Sequence, residues 1–435
     1  MLGVVADDTT GANDIGLMFS KNRYTTKVVV FSEQMDLNTD VDVMIIDTDS
    51  RLDPPEESYH KVFKATKILQ KMGCTLFFNK TCSVFRGNIG KEFDAMLDAL
   101  NQEFAVISLA FPKNGRKTIN GIHTVHGRLL EQSEFANDPV HPMRQSNLVE
   151  ILQQQTSRKV TMVPLAIVRK GPIELRKEIE RQRKEFQYCI VDSENQSDLT
   201  ILAEAIHDMP ILCGSSAIAE ELPKFIKKEL VQTSFGDLII NDSNGVLVVS
   251  GSLTPQTRSQ TAHLIEKGSK AIILDSRKVL DQQLKESEMD RVTVEAMSII
   301  KSGKDVLVMA DNRLEIVEET KKLGKQLLMN EMTISKMISS ALAEITQLLI
   351  ENTGLRRLVV AGGDTSGTVC RRLGIKGNYV LEEIETGLPA GLTLDRSMLI
   401  VLKSGSFGTP EFLEKAINHL KVLSNNRGEV RDGVN

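Results

Sequence analysis

Gly362-Gly363-Asp364-Thr365-Ser366-Gly367, reached through the apolar run Val359-Val360-Ala361, sets glycines and hydroxyls where a strand gives way to a helix. Glycines let the backbone approach an anion closely. The hydroxyls and the first free N–H groups of a helix donate to it where the helix dipole is positive. That is phosphate-binding chemistry, although the spacing G-x-x-x-x-G-K-[ST] occurs nowhere in the chain, so this is not a Walker A loop. Two further strand ends have a similar composition. Ser250-Gly251-Ser252 leads to Thr254, placed as an N-cap with Pro255 at N1 and Ser259 one turn in, within reach of a bound group. Lys403-Ser404-Gly405-Ser406-Phe407-Gly408 follows the run Met398–Leu402. The competing reading is that each glycine only serves a strand-to-helix turn.

The first half collects charge instead. Asp7-Asp8 follows Leu2–Ala6, Arg51 follows Val41–Asp47, and Lys80 with Arg86 follows Thr75–Asn79. Acids and cations past neighbouring strand ends suit a small anionic ligand, and a guanidinium forks onto a carboxylate. Against this, Asp7 and Asp8 are ordinary helix N-caps and Lys80 and Arg86 ordinary surface charge. His123 and His126, three apart with no ligand at metal spacing, read as surface histidines.

Strands alternating with helices predict an α/β fold: two α/β domains with largely parallel, doubly wound sheets facing a shared cleft. The domains are expected at 1–232, for the small anion, and 245–423, for the phosphate donor. The boundary falls in the polar stretch Thr233–Gly245, and the tail from Ser424 is expected to fray. Asn88 reads as the N-cap of a helix carrying Phe93, Met96, Leu97 and Leu100. Pro112–Asn147 breaks the rhythm with Gly, Pro, His and Asn and reads as a long ordered loop, a lid or a homodimer contact. At 435 residues the chain is long for one core. A net charge of −5 gives no nucleic-acid surface, and no apolar run reaches the ~18 residues of a membrane span. The five scattered cysteines read as free thiols in a reducing cytoplasm, and Met1–Asp8 reads as a first strand with no export signal.

Taken together, Ala6-Asp7-Asp8-Thr9-Thr10-Gly11-Ala12-Asn13-Asp14, Lys80 through Arg86-Gly87-Asn88, Ser250-Gly251-Ser252, Gly362–Gly367 and Lys403–Gly408 resemble the four-carbon acid sugar kinase family from residue 1 to about residue 420. The resemblance implies an N-terminal sugar-acid domain and a C-terminal nucleotide domain. It also implies ATP-dependent phosphorylation of a four-carbon sugar acid at its terminal hydroxyl. By position it makes Asp8, Arg51, Lys80 and Arg86 substrate-domain residues, and Ser259, Gly362, Gly363, Asp364, Thr365 and Gly405 ATP contacts. Asn13-Asp14 followed by Gly16 is closer to the threonate kinases, which favours D-threonate over 3-oxo-tetronate or D-erythronate. Two positions depart from the family pattern Lys-x-Asp-Ser-Thr-x-Arg-Gly: Cys82 stands for the acid and Val84 for the threonine.

The expected chemistry is in-line phosphoryl transfer with Mg²⁺ bridging the ATP phosphates. Asp8 is the expected proton acceptor, with Asp7 beside it in the substrate site. Ser252 joins the nucleotide contacts, Asp364 is the candidate metal ligand, and Lys403 would neutralise developing charge. A sensor that binds nucleotide or sugar acid without turnover is the alternative, prompted by Cys82. An oxidoreductase ranks below both, because no G-x-G-x-x-G follows a strand.

Overall fold

The structure is a computed structural model that describes residues 1–33, 35, 41–138, 140–226, 240 and 242–425. The chain divides into two compact units, Met1–Gln232 and Thr233–Asn435. The interval Thr233–Gly245, where the sequence places the boundary, falls mostly outside the described residues.

In the first unit the main sheet is built from β1 (Leu2–Ala6), β2 (Thr26–Val30), β3 (Val43–Asp47), β4 (Leu76–Lys80) and β5 (Ala105–Ser108). An excursion through β6 (Arg116–Ile119), β7 (Ile122–Val125) and β8 (Arg128–Leu129) precedes β9 (Val160–Val163), β10 (Tyr188–Val191) and β11 (Ile211–Gly214). The order is β2-β3-β1-β4-β11-β5-β10-β9, and the pairings are parallel. Parallel strands are covered on both faces, which is why β1 and β3 read as continuous apolar runs and are buried throughout. Chain direction across the sheet reverses at β1, flanked by β3 and β4, and a ligand edge forms at such a switch point.

The stretch Pro112–Asn147 is not a plain loop. β6, β7 and β8 form a small antiparallel sheet. Asn120-Gly121 closes its first hairpin with both residues at positive φ, 53° and 73°, as a two-residue hairpin turn demands. Strand alternation turns His123 inward, where it is fully buried and bonded to Thr118 Oγ1 at 3.0 Å, whereas His126 sits exposed in the next turn. Burial and the nearby Arg116 pull the His123 imidazole down to about 3, so it is neutral. The expectation of a surface histidine therefore fails at 123 and holds at 126. Asn88 is the N-cap residue of the helix Ile89–Leu100, but its side chain makes no capping bond; its amide donates to the Asp53 carbonyl at 2.8 Å and ties the helix start to the loop after β3.

The second unit contains β12 (Leu247–Ser250), β13 (Lys270–Leu274), β14 (Val306–Ala310), β15 (Arg357–Ala361), β16 (Gly377–Glu385), β17 (Leu388–Thr393) and β18 (Leu399–Lys403). The order β13-β14-β12-β15-β18 is parallel, and β17 and β16 extend it as an antiparallel pair. Pro389 and Gly391 weaken the strand signal of Leu388–Thr393, yet pairing on both sides makes it a strand. Its core gathers Leu247, Val249, Val308, Leu342, Leu358 and Val360 from the sheet and the long helix Glu331–Thr353. Ser424 is not frayed: it lies in the helix Phe412–Asn425, and its hydroxyl receives Arg357 at 3.2 Å. Among the described residues no helix is long and apolar enough to cross a membrane. All five cysteines are buried, and none forms a disulfide.

Candidate functional site

The last residues of five neighbouring strands of the first unit stand in one row: Asp47, Ala6, Lys80, Gly214 and Ser108. The chain leaves β1 at Asp7-Asp8 beside this row. Arg51 then clamps both acids: Nε donates to Asp7 Oδ2 at 2.7 Å, and Nη2 donates to Asp7 Oδ1 at 2.8 Å and Asp8 Oδ1 at 2.6 Å. Asp8 also caps the helix Thr9–Ser20 by accepting from the Gly11 N–H at 2.9 Å, and it takes the Thr10 hydroxyl at 2.6 Å. The cap reading of Asp8 thus holds, in a side chain that Arg51 also binds. Burial by itself would raise its carboxyl, but Arg51, Lys80 and the Thr10 hydroxyl outweigh it and hold the group at about 2. So anionic a group, already given three donors, is a poor proton acceptor.

Lys80, 3% exposed, donates to the Thr81 carbonyl at 3.0 Å and faces Asp14 Oδ2 at 4.0 Å. Gly11 leaves room between the charges: a Cβ there would stand 2.4 Å from Asp8 Oδ1 and 2.9 Å from Lys80 Nζ. Arg86, the predicted carboxylate reader, already holds a carboxylate of its own chain. Its Nη1 donates to Asp138 Oδ2 at 2.6 Å, its Nε to Cys82 Sγ at 3.4 Å, and its guanidinium lies 5.1 Å from the Phe135 ring centroid. Burial would push the Cys82 thiol up, yet Arg86 and Arg51 lower it from its usual value. Val84 is fully buried, so the missing threonine hydroxyl is replaced by core packing. A cavity of about 450 Å³ opens beside this loop, lined by Phe85, Gly87, His141, Met143, Arg144 and Gln155 among others. None of Asp7, Asp8, Arg51, Lys80 or Arg86 lines it.

Behind Arg51, Glu92 accepts hydrogen bonds from Ser50 and Ser58 at 2.7 Å each. Burial, reinforced by the Asp7 charge, pushes its carboxyl up from 4.5 to about 8. The folded chain therefore holds a proton that the unfolded chain loses above its own lower value. Stability is expected to fall as pH rises across the window from about 4.5 to about 8, at on the order of 1 kcal/mol per pH unit. Glu92→Gln should flatten this slope in urea unfolding measured at several pH values; an unchanged slope would assign it to another group.

In the second unit β12, β15 and β18 lie side by side, and Ser250, Ala361 and Lys403 end them in one register row. Three turns leave that row together. The Gly251 N–H donates to the Ala361 carbonyl at 3.2 Å and the Gly362 N–H to the Lys403 carbonyl at 2.8 Å, so each turn starts on its neighbour. Thr254 caps the helix Pro255–Glu266. Its hydroxyl and that of Thr257 donate to the Gly405 carbonyl at 2.6 Å and 2.8 Å. Ser252 Oγ lies 3.0 Å from Thr254 Oγ1. The packing leaves no room for side chains: a Cβ would meet Thr365 Oγ1 at 2.3 Å from Gly251 and Ser252 Oγ at 2.7 Å from Gly405. Gly362 has φ of 127°, a conformation that favours glycine. Gly363 begins the helix Gly363–Arg372, with Asp364 exposed on its first turn and Thr365 buried. Ser259 is exposed on the helix that Thr254 caps.

Lys403 does not point away from the fold. Fully buried, it donates to Thr257 Oγ1, the Ser404 carbonyl and the Gly405 carbonyl at 3.0, 2.6 and 3.1 Å, which uses its three N–H bonds within the turn. The charge-neutralising role expected of it gives way to holding the loop. Sequence reasoning gave no role to Ser216, Arg116, Glu92 or Thr257. Ser216 alone carried a signal, as part of Gly214-Ser215-Ser216 at a strand end.

Residues 2–222 match the model of the sugar-binding N-terminal domain, and residues 247–413 match that of the nucleotide-binding C-terminal domain. A 3-oxo-tetronate kinase of Pseudomonas savastanoi pv. phaseolicola is 32% identical over 97% of each chain. One of Burkholderia multivorans is 31% identical, again over 97% of each. Among solved structures, a Salmonella typhimurium LT2 protein matches with TM-score 0.80 at 26% identity, over 96% of this chain and 99% of its own. A Haemophilus influenzae protein matches with TM-score 0.72 at 29% identity, over 96% and 100%. With both halves matched in order and the acidic clamp and glycine turns at its strand ends, the chain belongs to the four-carbon acid sugar kinase family, phosphotransferases with an alcohol group as acceptor.

Proposed function

We propose that this chain uses ATP to phosphorylate the terminal hydroxyl of a four-carbon sugar acid, with 3-oxo-tetronate the first candidate and D-threonate and D-erythronate after it. The observation that carries the reading is the set of three glycine and hydroxyl turns leaving one register row of three adjacent parallel strands in the second unit. Backbone N–H groups and a helix N-terminus in such a row suit a polyphosphate. The charged row of the first unit suits a small acid. In this reading Asp7, Asp8, Arg51, Lys80 and Arg86 form the sugar-acid site, and Ser252, Ser259, Gly362, Gly363, Asp364, Thr365 and Gly405 form the ATP site.

The choice of acid weighs two things. The D-threonate expectation leaned on Asn13-Asp14, and the Asn13 amide donates to the Thr9 carbonyl of its own helix at 2.9 Å. The two relatives named above are 3-oxo-tetronate kinases, which favours that acid.

Among the described residues no group of three or more His, Cys, Asp or Glu could hold a metal. That fits Mg²⁺, which is held by substrate phosphates and one or two carboxylates. Asp364, exposed beside the Gly362 turn, is the carboxylate that would hold it. Bound there, the ion would neutralise charge on the phosphates.

Incubating the purified chain with ATP, Mg²⁺ and a panel of four-carbon acids, and measuring ADP, tests the reading. ADP release with one panel member is the expected result, greatest with 3-oxo-tetronate. Saturable binding of an acid with no ADP from any of them would instead establish the non-catalytic sensor that Cys82 raises.

A further inference from the structure

We propose that Asp14 is the proton acceptor of the transfer, taking the hydrogen of the attacking hydroxyl on Oδ1 while Ser216 holds the carboxylate in place. The inference rests on the kinase reading above. Asp14 lies within the helix Thr9–Ser20 that Asp8 caps, and is 5% exposed. Its two oxygens differ. Oδ2 accepts the Ser216 hydroxyl at 2.6 Å and faces Lys80 Nζ at 4.0 Å. Oδ1 is buried and has no hydrogen-bond partner. A carboxylate oxygen left so in the interior is costly, and the group that relieves it is a donor such as an alcohol.

The position is consistent with this role. Lys80 ends β4 and Ser216 follows the end of β11, adjacent strands of the row that carries the charged cluster. Lys80 is thus shared between Asp8 and Asp14. The two acids are nevertheless driven apart. Burial raises the Asp14 carboxyl to about 6 against the opposing pull of Lys80, Ser216 and Arg116, and the Asp8 charge adds to the rise, whereas Asp8 itself is held at about 2. Carboxyl pairs separated in this way divide binding from proton transfer. On the elements packed against the helix, Glu220 is paired with Lys21 and Lys113, and Asp47 takes the Thr9 hydroxyl.

The step balances without further reagents. As the hydroxyl oxygen bonds to the γ-phosphorus, its proton passes to Asp14 Oδ1. The bond from that phosphorus to the β–γ bridging oxygen breaks, ADP leaves with the electron pair, and Asp14 later returns the proton to water.

Single-turnover rates across pH 5–9, with whichever acid the wild type accepts, test the assignment. The wild-type rate should fall as pH drops through about 6. Asp14→Asn should lose about 100- to 10,000-fold in rate and also lose that acidic limb, while still binding the sugar acid in calorimetry. Ser216→Ala removes a donor to the anion, so the rate should fall by less than in Asp14→Asn and the limb should move to higher pH. An Asp14→Asn rate within about threefold of wild type, or a limb unchanged in either variant, overturns the proposal. Should Asp14→Asn fail to fold, the Ser216→Ala profile decides alone. A wild type that turns over none of the acids defeats the kinase reading itself, a separate outcome.

Discussion

Replacing Arg51 by methionine is expected to abolish phosphoryl transfer and to lower the stability of the first unit by about 3–5 kcal/mol. Arg51 makes three charge-assisted hydrogen bonds to two acids, and the Asp7 side chain has only 1% of its surface exposed. Methionine refills part of the volume but leaves the buried Asp7 side chain without its partner, the costly half of a broken buried pair. The loss has a pH signature. Without the guanidinium the Asp8 carboxyl is no longer held down, so its protonation relieves the strain; the deficit should be larger at pH 8 than at pH 5 in urea unfolding. Adding Asp7→Asn to Arg51→Met removes the stranded charge and should recover much of the stability without recovering turnover. A single variant within 1 kcal/mol of wild type at both pH values, on the scale of about 0–1 for an exposed pair, would mean that the clamp is solvated and contributes little.

Lys403→Met is the second large effect, and it should act on the nucleotide. Removing the ammonium leaves the half-buried Ser404 carbonyl without that donor and the Gly405 carbonyl with Thr254 and Thr257 only. Each lost charge-assisted bond is worth about 1.5–3 kcal/mol, so the affinity for a non-hydrolysable ATP analogue should drop about 10- to 100-fold. Sugar-acid affinity should stay near wild type. Burial pulls the Lys403 ammonium down to about 7, so three donors become two as pH rises through that value. Wild-type nucleotide affinity should weaken over the same interval, and the methionine variant should show no such step. Calorimetry at pH 6, 7 and 8 reads both effects. Equal affinity in variant and wild type would show that the turn keeps its shape without the lysine.

The two variants probe different kinds of legibility. Arg51 could be selected from its place after a strand, because acids and cations accumulate past carboxyl ends wherever a parallel sheet is covered on both faces. Its partner could not: nothing in the spacing of Asp7 and Arg51 says that the guanidinium is spent on the acid. Lys403 sat in a motif marked as phosphate-binding, and its charge suggested a phosphate contact. Three acceptors within 3.1 Å turn it inward instead.

By itself the sequence determined the alternation of strands and helices, the order of the halves that match sugar-binding and nucleotide-binding domain models, and the glycine turns at their strand ends. These follow from local rules: apolar runs of strand length, caps, and glycines where backbone must pass close. Tertiary structure decided which side chains face one another. It buried His123 through the alternation of a short strand and diverted Asn88 from its helix to the Asp53 carbonyl. It gave Arg86 to Asp138, 52 residues away, and brought Ser216 to Asp14 across 202 residues. Proton affinity belongs to that second level, because burial and neighbouring charges come from chain segments that no local pattern relates. Asp8 caps the helix that carries Asp14 six residues on, yet the folded chain holds one carboxyl near 2 and the other near 6.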